Sequence, residues 1–313
     1  MIVLEKGIRI EGLPFWIDSN VRREKAFVSH PHADHAADHV TAIMSRESTD
    51  LYSLRYRSER ILGLPWEKPA VFEKWRVTLF PSGHMLGSAQ VLLEKDFRIL
   101  YSGDFKMRKN AAAREIAIPE TDILIMEATF GRPEFRFPPQ EKVLEAMLEF
   151  IEGCFNEGTV PLFFAYSMGK AQELMVLLGR AGVELRVHEH IARAAAVYEK
   201  MGYRFGRYDV LREGERGEFA VIYPPSARKN PILSPLKART ALVSGWALRG
   251  PGPYDVGFPL SDHADYQDLI SYVEAVDPTE VYVIRGTEFL KRDLETRGYT
   301  VHLLPPPKQL SMF

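Results

Sequence analysis

An α/β fold, with a second α/β block inserted into the first, is what the sequence predicts, and three observations predict it. Short apolar runs of strand length recur early in the chain, each ending in a polar residue. After Gly131-Arg132-Pro133, strand-like and helix-like stretches alternate, as in a mainly parallel sheet. Ser261-Asp262-His263-Ala264-Asp265 and the run 280–284 then read as a return to the first block.

In the first block, residues 25–29 lead to His30, 76–80 to Pro81-Ser82-Gly83-His84, 98–102 to Gly103-Asp104, and 122–126 to Glu127. The run 13–17 ends at Asp18 in the same way. Strands that deliver polar side chains from their C-terminal loops describe a sheet with its active site along one edge. In the second block, apolar residues at Val143, Leu144, Met147, Leu148 and Ile151 predict a helix over about 140–155. Strands are predicted at 159–164, 184–187, 219–223 and 240–244, and helices at 170–179 and 191–201. The expected division is 1–131, an insertion at 132–255, a return at 256–304, and a Pro-rich tail at 305–313.

The 313 residues, 46% of them hydrophobic, suffice for a large core. Forty basic against forty-two acidic residues give a net charge of −2, so any nucleic-acid face has to be local. One cysteine, Cys154, excludes an internal disulfide framework and suits a reducing cytosol. The first residues lack a signal-peptide core, and charges interrupt every apolar run before membrane-spanning length. The expectation is a soluble cytoplasmic protein with no membrane partner.

His30-Pro31-His32-Ala33-Asp34-His35 places four metal-competent side chains in six residues. His30 and His32 point to one side of an extended backbone. Asp34 and His35 come where a helix is predicted over 36–40. Zinc favours histidine nitrogen and carboxylate oxygen. His30, His32, His84 and Asp104 are the expected first site. Asp34 and His35, with Asp104 bridging, supply most of a second. Manganese suits the same donors. Asp18 is expected to orient a ligand histidine rather than to bind metal.

These motifs, His-x-His-x-Asp-His followed by Gly83-His84 and Gly103-Asp104, resemble the metallo-β-lactamase fold, an αββα sandwich. The continuation is narrower: Glu127-Ala128-Thr129-Phe130-Gly131, Gly169-Lys170-Ala171-Gln172, Pro224-Pro225-Ser226-Ala227, Ser244-Gly245-Trp246 and Leu260-Ser261-Asp262-His263-Ala264-Asp265. It resembles the β-CASP nucleases, and among them the bacterial ligase-associated DNA exonucleases, over about residues 10–300. The resemblance implies metal-dependent hydrolysis of DNA phosphodiesters in repair or end processing, with DNA as partner and a DNA ligase or helicase in the same pathway. It implies that His263 contacts the scissile phosphate or protonates the leaving oxygen, with Glu127 as its carboxylate partner. Asp34 is expected to serve the attacking water. An RNA-processing nuclease of the same fold, a small-molecule hydrolase and a catalytically inactive nucleic-acid-binding homologue stand as alternatives.

One position departs from that pattern. Where the family carries His-Gly after the last core strand, this chain has Arg285-Gly286-Thr287. Arginine is no metal ligand, and its charge opposes a second cation. Two readings follow: an enzyme with one firmly held zinc, as resemblance to the crosslink-repair DNA nucleases implies, or an Arg285 that grips a phosphate oxygen.

Lys106, Arg108, Lys109 and Arg114 fall in an acid-free stretch, and Arg228, Lys229, Lys237, Arg239 and Arg249 in another. Such windows suit a phosphate-backbone groove. DNA is expected between the two domains, touching Lys106, Lys170 and Arg228, with Tyr166, Tyr223 and Trp246 available to stack on bases. The tail ends Gln309-Leu310-Ser311-Met312-Phe313, which resembles the bacterial sliding-clamp-binding peptide. Leu310, Met312 and Phe313 would fill apolar pockets and Gln309 would bond at the rim.

Overall fold

A computed structural model describes residues 2–304. The clamp-like peptide at 309–313 lies outside the described residues. In chain order the elements are β1 (Ile2–Leu4), β2 (Ile8–Ile10), β3 (Trp16–Ile17), β4 (Lys25–Phe27), β5 (Thr41–Ser45), α1 (Thr49–Ser53), β6 (Arg60–Leu64), β7 (Ala70–Phe72), β8 (Trp75–Pro81), β9 (Ala89–Glu94), β10 (Arg98–Tyr101) and β11 (Ile123–Glu127). Then come α2 (Gln140–Asn156), β12 (Val160–Phe164), α3 (Lys170–Arg180), β13 (Leu185–Val187), α4 (Glu189–Lys200), β14 (Tyr208–Val210), β15 (Ala220–Tyr223), β16 (Ala238–Val243) and β17 (Val256–Phe258). The described part ends with α5 (Tyr266–Val276), β18 (Glu280–Ile284), α6 (Glu288–Thr296) and β19 (Thr300–Leu304). The fold is mixed α/β. Among the described residues no helix is long and apolar enough to cross a membrane.

Residue packing separates two units: residues up to Arg136 together with those from His263 onward, and Phe137–Asp262. These bounds lie later than the sequence-based 132–255, for local reasons. The 131–135 turn is bonded into the first unit, because Thr287 Oγ donates to the Gly131 carbonyl and Tyr266 N to Phe135 O. Residues 256–258 extend the second unit's sheet as β17, paired with β16.

The first unit holds two sheets, ordered β1-β2-β3-β4-β5-β6 and β19-β18-β11-β10-β9-β8-β7. Period-two alternation explains their layering. Val91, Leu93, Ile99, Tyr101 and Ile125 share a core cluster with Ile8, Ile17, Phe27 and Ile43 of the other sheet. The intervening Leu92, Leu100, Leu124 and Met126 face the opposite way, into α5 (Leu269, Ile270, Val273) and α6 (Leu290, Leu294). Ala42, Met44 and Tyr52 cluster separately on the far side of the first sheet. The order is therefore helix, sheet, sheet, helices.

Strand direction then builds the site. β10, β11 and β18 are mutually parallel, β9 is antiparallel to β10, and β8 is antiparallel to β9. So β8, β10, β11 and β18 all end on one edge, which brings out His84, Asp104, Glu127 and Arg285. In the first sheet β3, β4 and β5 are also mutually parallel, and β4 leads to His30.

The helix predicted over 36–40 does not form. His35 N donates to His32 O in one isolated turn. Beyond it the segment is recruited sideways: Tyr52 OH donates to Ala37 O, Arg22 Nη1 to Asp38 O, and Arg23 N to the His39 side chain at Nδ1. Of the predicted run 13–17, only Trp16–Ile17 pairs as strand.

The second unit is one six-stranded sheet, β14-β13-β15-β12-β16-β17, parallel throughout. Phe163 of β12 packs edge-on against Phe150 of α2. Leu162, Phe164, Val221 and Tyr223 form a cluster on the other face.

Candidate metal centre

Three loops converge at the edge just described. Gly103 permits one close approach. Its φ is +58°, and a Cβ there would stand 2.8 Å from Ser29 Cβ, so glycine alone lets the Asp104 loop lie against the Ser29-His30 loop. Ligand-capable atoms of His30, His32, His84 and Asp104 all lie within 4.8 Å of one another. His30 Nε2 is 3.0 Å from His32 Nδ1 and 3.5 Å from Asp104 Oδ2; His84 Nε2 is 3.4 Å from His32 Nδ1. His30 is wholly buried.

Asp18 is a hub beneath these groups. It accepts from Ser29 N at 2.7 Å, Ser29 Oγ at 2.5 Å and Tyr101 OH at 2.8 Å, and its Oδ2 lies 2.7 Å from His35 Nδ1. Ser29 Oγ also lies 2.9 Å from His30 Nδ1. Both imidazoles are thereby gripped at Nδ1 and present Nε2 inward. Asp18 itself sits at φ +44°, an uncommon backbone for a non-glycine residue.

His35 Nε2 is a buried nitrogen without a hydrogen-bond partner. It stands 3.3 Å from Asp104 Oδ2 and 3.5 Å from Asp34 Oδ2, without hydrogen-bond alignment. Burial alone would push the His35 imidazole down, but the carboxylates of Asp104 and Asp18 outweigh it and hold it well above the usual histidine range. His30 is pushed well below that range, by burial first and then by the imidazoles of His35 and His32. Asp104 lies well below the ordinary carboxylate range; burial opposes this, and the charges of His35 and His263 prevail.

These observations fit a metal. Three imidazoles and a carboxylate converge with neutral His30 among them, while the carboxylates around His35 call for positive charge between them. His30, His32, His84 and Asp104 would hold the ion. Asp34 and His35 also reach Asp104, but Asp34 is half exposed and pairs with Arg285 Nη2 at 3.1 Å. Burial opposes and His35 favours ionisation of Asp34, which ends below the usual carboxylate range. The ion pair is itself weak, about 0–1 kcal/mol at this exposure. What disfavours a second cation is the guanidinium charge, about 4 kcal/mol per unit charge at 4 Å in a surface-like dielectric.

Beside this set, His263 Nδ1 lies 2.8 Å from Glu127 Oε1, and the His263 ring is 4.8 Å from that of His84. The segment carrying His263 is pinned. Ala264 N donates to Phe105 O, and Asp265 caps α5 by accepting from Asp268 N. Glu127 is fixed in turn by Phe105 N, Thr129 N and Thr129 Oγ.

The residues expected to meet nucleic acid divide. Lys106 is buried, and Lys170, also buried, pairs with Asp262 at 2.8 Å within the second unit. Neither ammonium is displayed as the sequence expectation required. Arg228 is exposed and lies 5.9 Å from the Tyr254 ring. Tyr166 and Trp246 are exposed, whereas Tyr223 is buried. The sequence reading passed over Ser29 and Tyr101, both partners of Asp18. Ser29 precedes His30 directly, but nothing in the sequence linked Tyr101 to a residue 83 positions away.

The fold and site define an α/β protein with a buried histidine–carboxylate centre on a sheet edge. No family model matches the chain. It is 36% identical over 317 residues to a protein of Opitutus terrae named a probable DNA ligase, a match covering 98% of this chain and 31% of that one. It is 28% identical over 332 residues to an RNase J-like protein of Methanocaldococcus jannaschii, covering 85% and 77%. It is 34% identical over 107 residues to endoribonuclease ysh1 of Aspergillus fumigatus, covering 33% and 12%. The chain thus spans less than a third of the first of these relatives. A crystal structure of a protein of unknown function from Enterococcus faecalis V583 aligns over 90% of this chain and 79% of its own, with a TM-score of 0.62 at 15% identity, a likeness of fold alone. Two of these relatives thus carry ribonuclease names and one the name of a probable DNA ligase.

Proposed function

We propose that the chain is a metal-dependent nuclease of the metallo-β-lactamase/β-CASP type that trims DNA ends as an exonuclease. The observation that carries the reading is the convergence of His30, His32, His84 and Asp104 beside the Glu127–His263 pair. DNA is favoured over RNA because the relative matched over 98% of this chain is named a probable DNA ligase. An exonuclease that cleans ends would serve a nick-sealing partner. Zinc is the metal that these donors suit best.

Bound there, the metal would supply Lewis acidity toward a phosphate oxygen and acidify a water. The remaining work belongs to the protein. His30 and His35 are held in orientation by Ser29 and Asp18. With Nδ1 committed to Glu127, His263 has Nε2 for passing a proton to the departing oxygen. Asp34 is half exposed at the rim, suited to orienting a water, with Arg285 neutralising it until substrate arrives.

Labelled single-stranded DNA, duplex DNA and RNA, each with and without added zinc or manganese, test the reading. Metal-dependent release of mononucleotides from DNA ends is expected. Cleavage of RNA alone transfers the assignment to RNA processing, and no cleavage of any substrate by metal-loaded protein removes it.

The same reading predicts about one tightly bound metal per chain, counted by elemental analysis or anomalous scattering. Arg285→His removes the opposing cation and adds a ligand-capable ring. It is expected to raise the count toward about two, as in two-metal sites. An unchanged count means that Arg285 is not what limits the second position.

A further inference from the structure

Just past the Arg285–Asp34 pair the first unit exposes an aromatic ring that packing does not explain. α6 begins at Glu288 with Thr287 as its cap, Thr287 Oγ accepting from Leu290 N. The helix buries Leu290 and Leu294, an i, i+4 stripe against the sheet. Phe289 lies off that stripe and is 51% exposed. A half-exposed phenylalanine gains little from folding, since fully burying such a side chain is worth about 1.5–3 kcal/mol.

The ring is nonetheless held in a defined setting. The Arg132 guanidinium carbon stands 5.2 Å from its centroid. Glu134 Oε1 accepts from Arg132 Nε at 2.7 Å. The two loops are tied to each other, since Thr287 Oγ donates to Gly131 O and Ala128 N donates to Ile284 O. Both leave the ligand-bearing sheet edge, one five residues after Glu127 and the other four after Arg285. Arg285 is itself exposed, with a left-handed backbone at φ +56°. A half-exposed aromatic ring with one guanidinium 5.2 Å from its centroid, four residues along the chain from a second exposed guanidinium, suits the two parts of a nucleotide: a flat base and an anionic phosphate.

We propose that Phe289, held by Arg132, is a base-stacking subsite for the nucleic-acid strand in the candidate nuclease site, with Arg285 on the adjoining phosphate. This rests on the nuclease reading and adds a substrate-positioning residue to it. The ring grips a base by its π-face, so it tolerates any sequence and fixes which linkage reaches the metal-ligand cluster.

Two readouts keep the subsite and the nuclease reading apart. Wild-type cleavage of an intact single-stranded oligonucleotide with added zinc or manganese tests the nuclease reading. Fluorescence anisotropy of the same oligonucleotide in EDTA, intact or with one abasic unit moved through each position in turn, tests the subsite whether or not cleavage occurs. Phe289→Ala is expected to weaken binding of the intact strand on the order of 5- to 150-fold, the range for one stacked base. An abasic unit at one position should weaken wild-type binding by a like factor and leave Phe289→Ala unaffected. Phe289→Trp should retain binding and Phe289→Leu should not, which removes any ambiguity from altered packing. Equal losses on intact and abasic strands, or no loss on the intact strand, overturn the proposal.

Discussion

Asp104→Asn is expected to cost the protein both its tightly bound metal and its nuclease activity, down to background. The Asp104 carboxylate lies 3.5 Å from His30 Nε2 and 3.3 Å from His35 Nε2, so it belongs to both candidate donor sets. It is also the negative charge that, with Asp18, supports positive charge at His35. An amide of the same shape keeps the volume but removes the charge. Breaking a buried ion pair costs about 3–5 kcal/mol, so a fall in thermal midpoint is expected alongside the loss of metal. Elemental analysis separates the two effects when done on protein shown to be folded by circular dichroism. Wild-type metal content in folded Asp104→Asn would take Asp104 out of the ligand set.

The parts of the fold that local pattern dictates were legible before the structure. Strand 280–284 and the helix beginning at Gln140 stand where apolar periodicity put them. What escaped depends on distant partners. The 36–40 segment reads as helix by composition, yet its carbonyls and side chains serve Arg22, Arg23 and Tyr52. Acid-free windows in sequence are not acid-free in space. Arg108 pairs with Asp265, Arg114 with Glu47 at 2.6 Å and Arg239 with Glu157 at 3.2 Å. Charge runs therefore overstated the surface available to a polyanion, and Lys170, expected outside those runs to touch DNA, is buried against Asp262. The metal-competent residues were easier to read because one short motif supplies most of them and strand ends supply the rest. Their orienting partners were harder, since Tyr101 meets Asp18 only through the packing of two sheets.

His263→Ala is expected to lower turnover about 10²- to 10⁴-fold, the usual contribution of a positioned proton-transfer group, while leaving metal content unchanged. Glu127 holds His263 Nδ1 at 2.8 Å, and three further donors (Phe105 N, Thr129 N and Thr129 Oγ) hold Glu127, so the ring's orientation is fixed before substrate binds. That rigidity is what a proton donor to a departing oxygen requires. The loss should fall on kcat more than on KM, because the interaction matters only once the bond is breaking. Glu127→Gln keeps the side chain's shape and should cost less than His263→Ala. Combined, the two changes should cost little more than His263→Ala alone, since a carboxylate that works through the imidazole has nothing left to orient. Turnover near wild type in His263→Ala, or full additivity in the double variant, would leave the pair a structural link and move the proton donor elsewhere in the site.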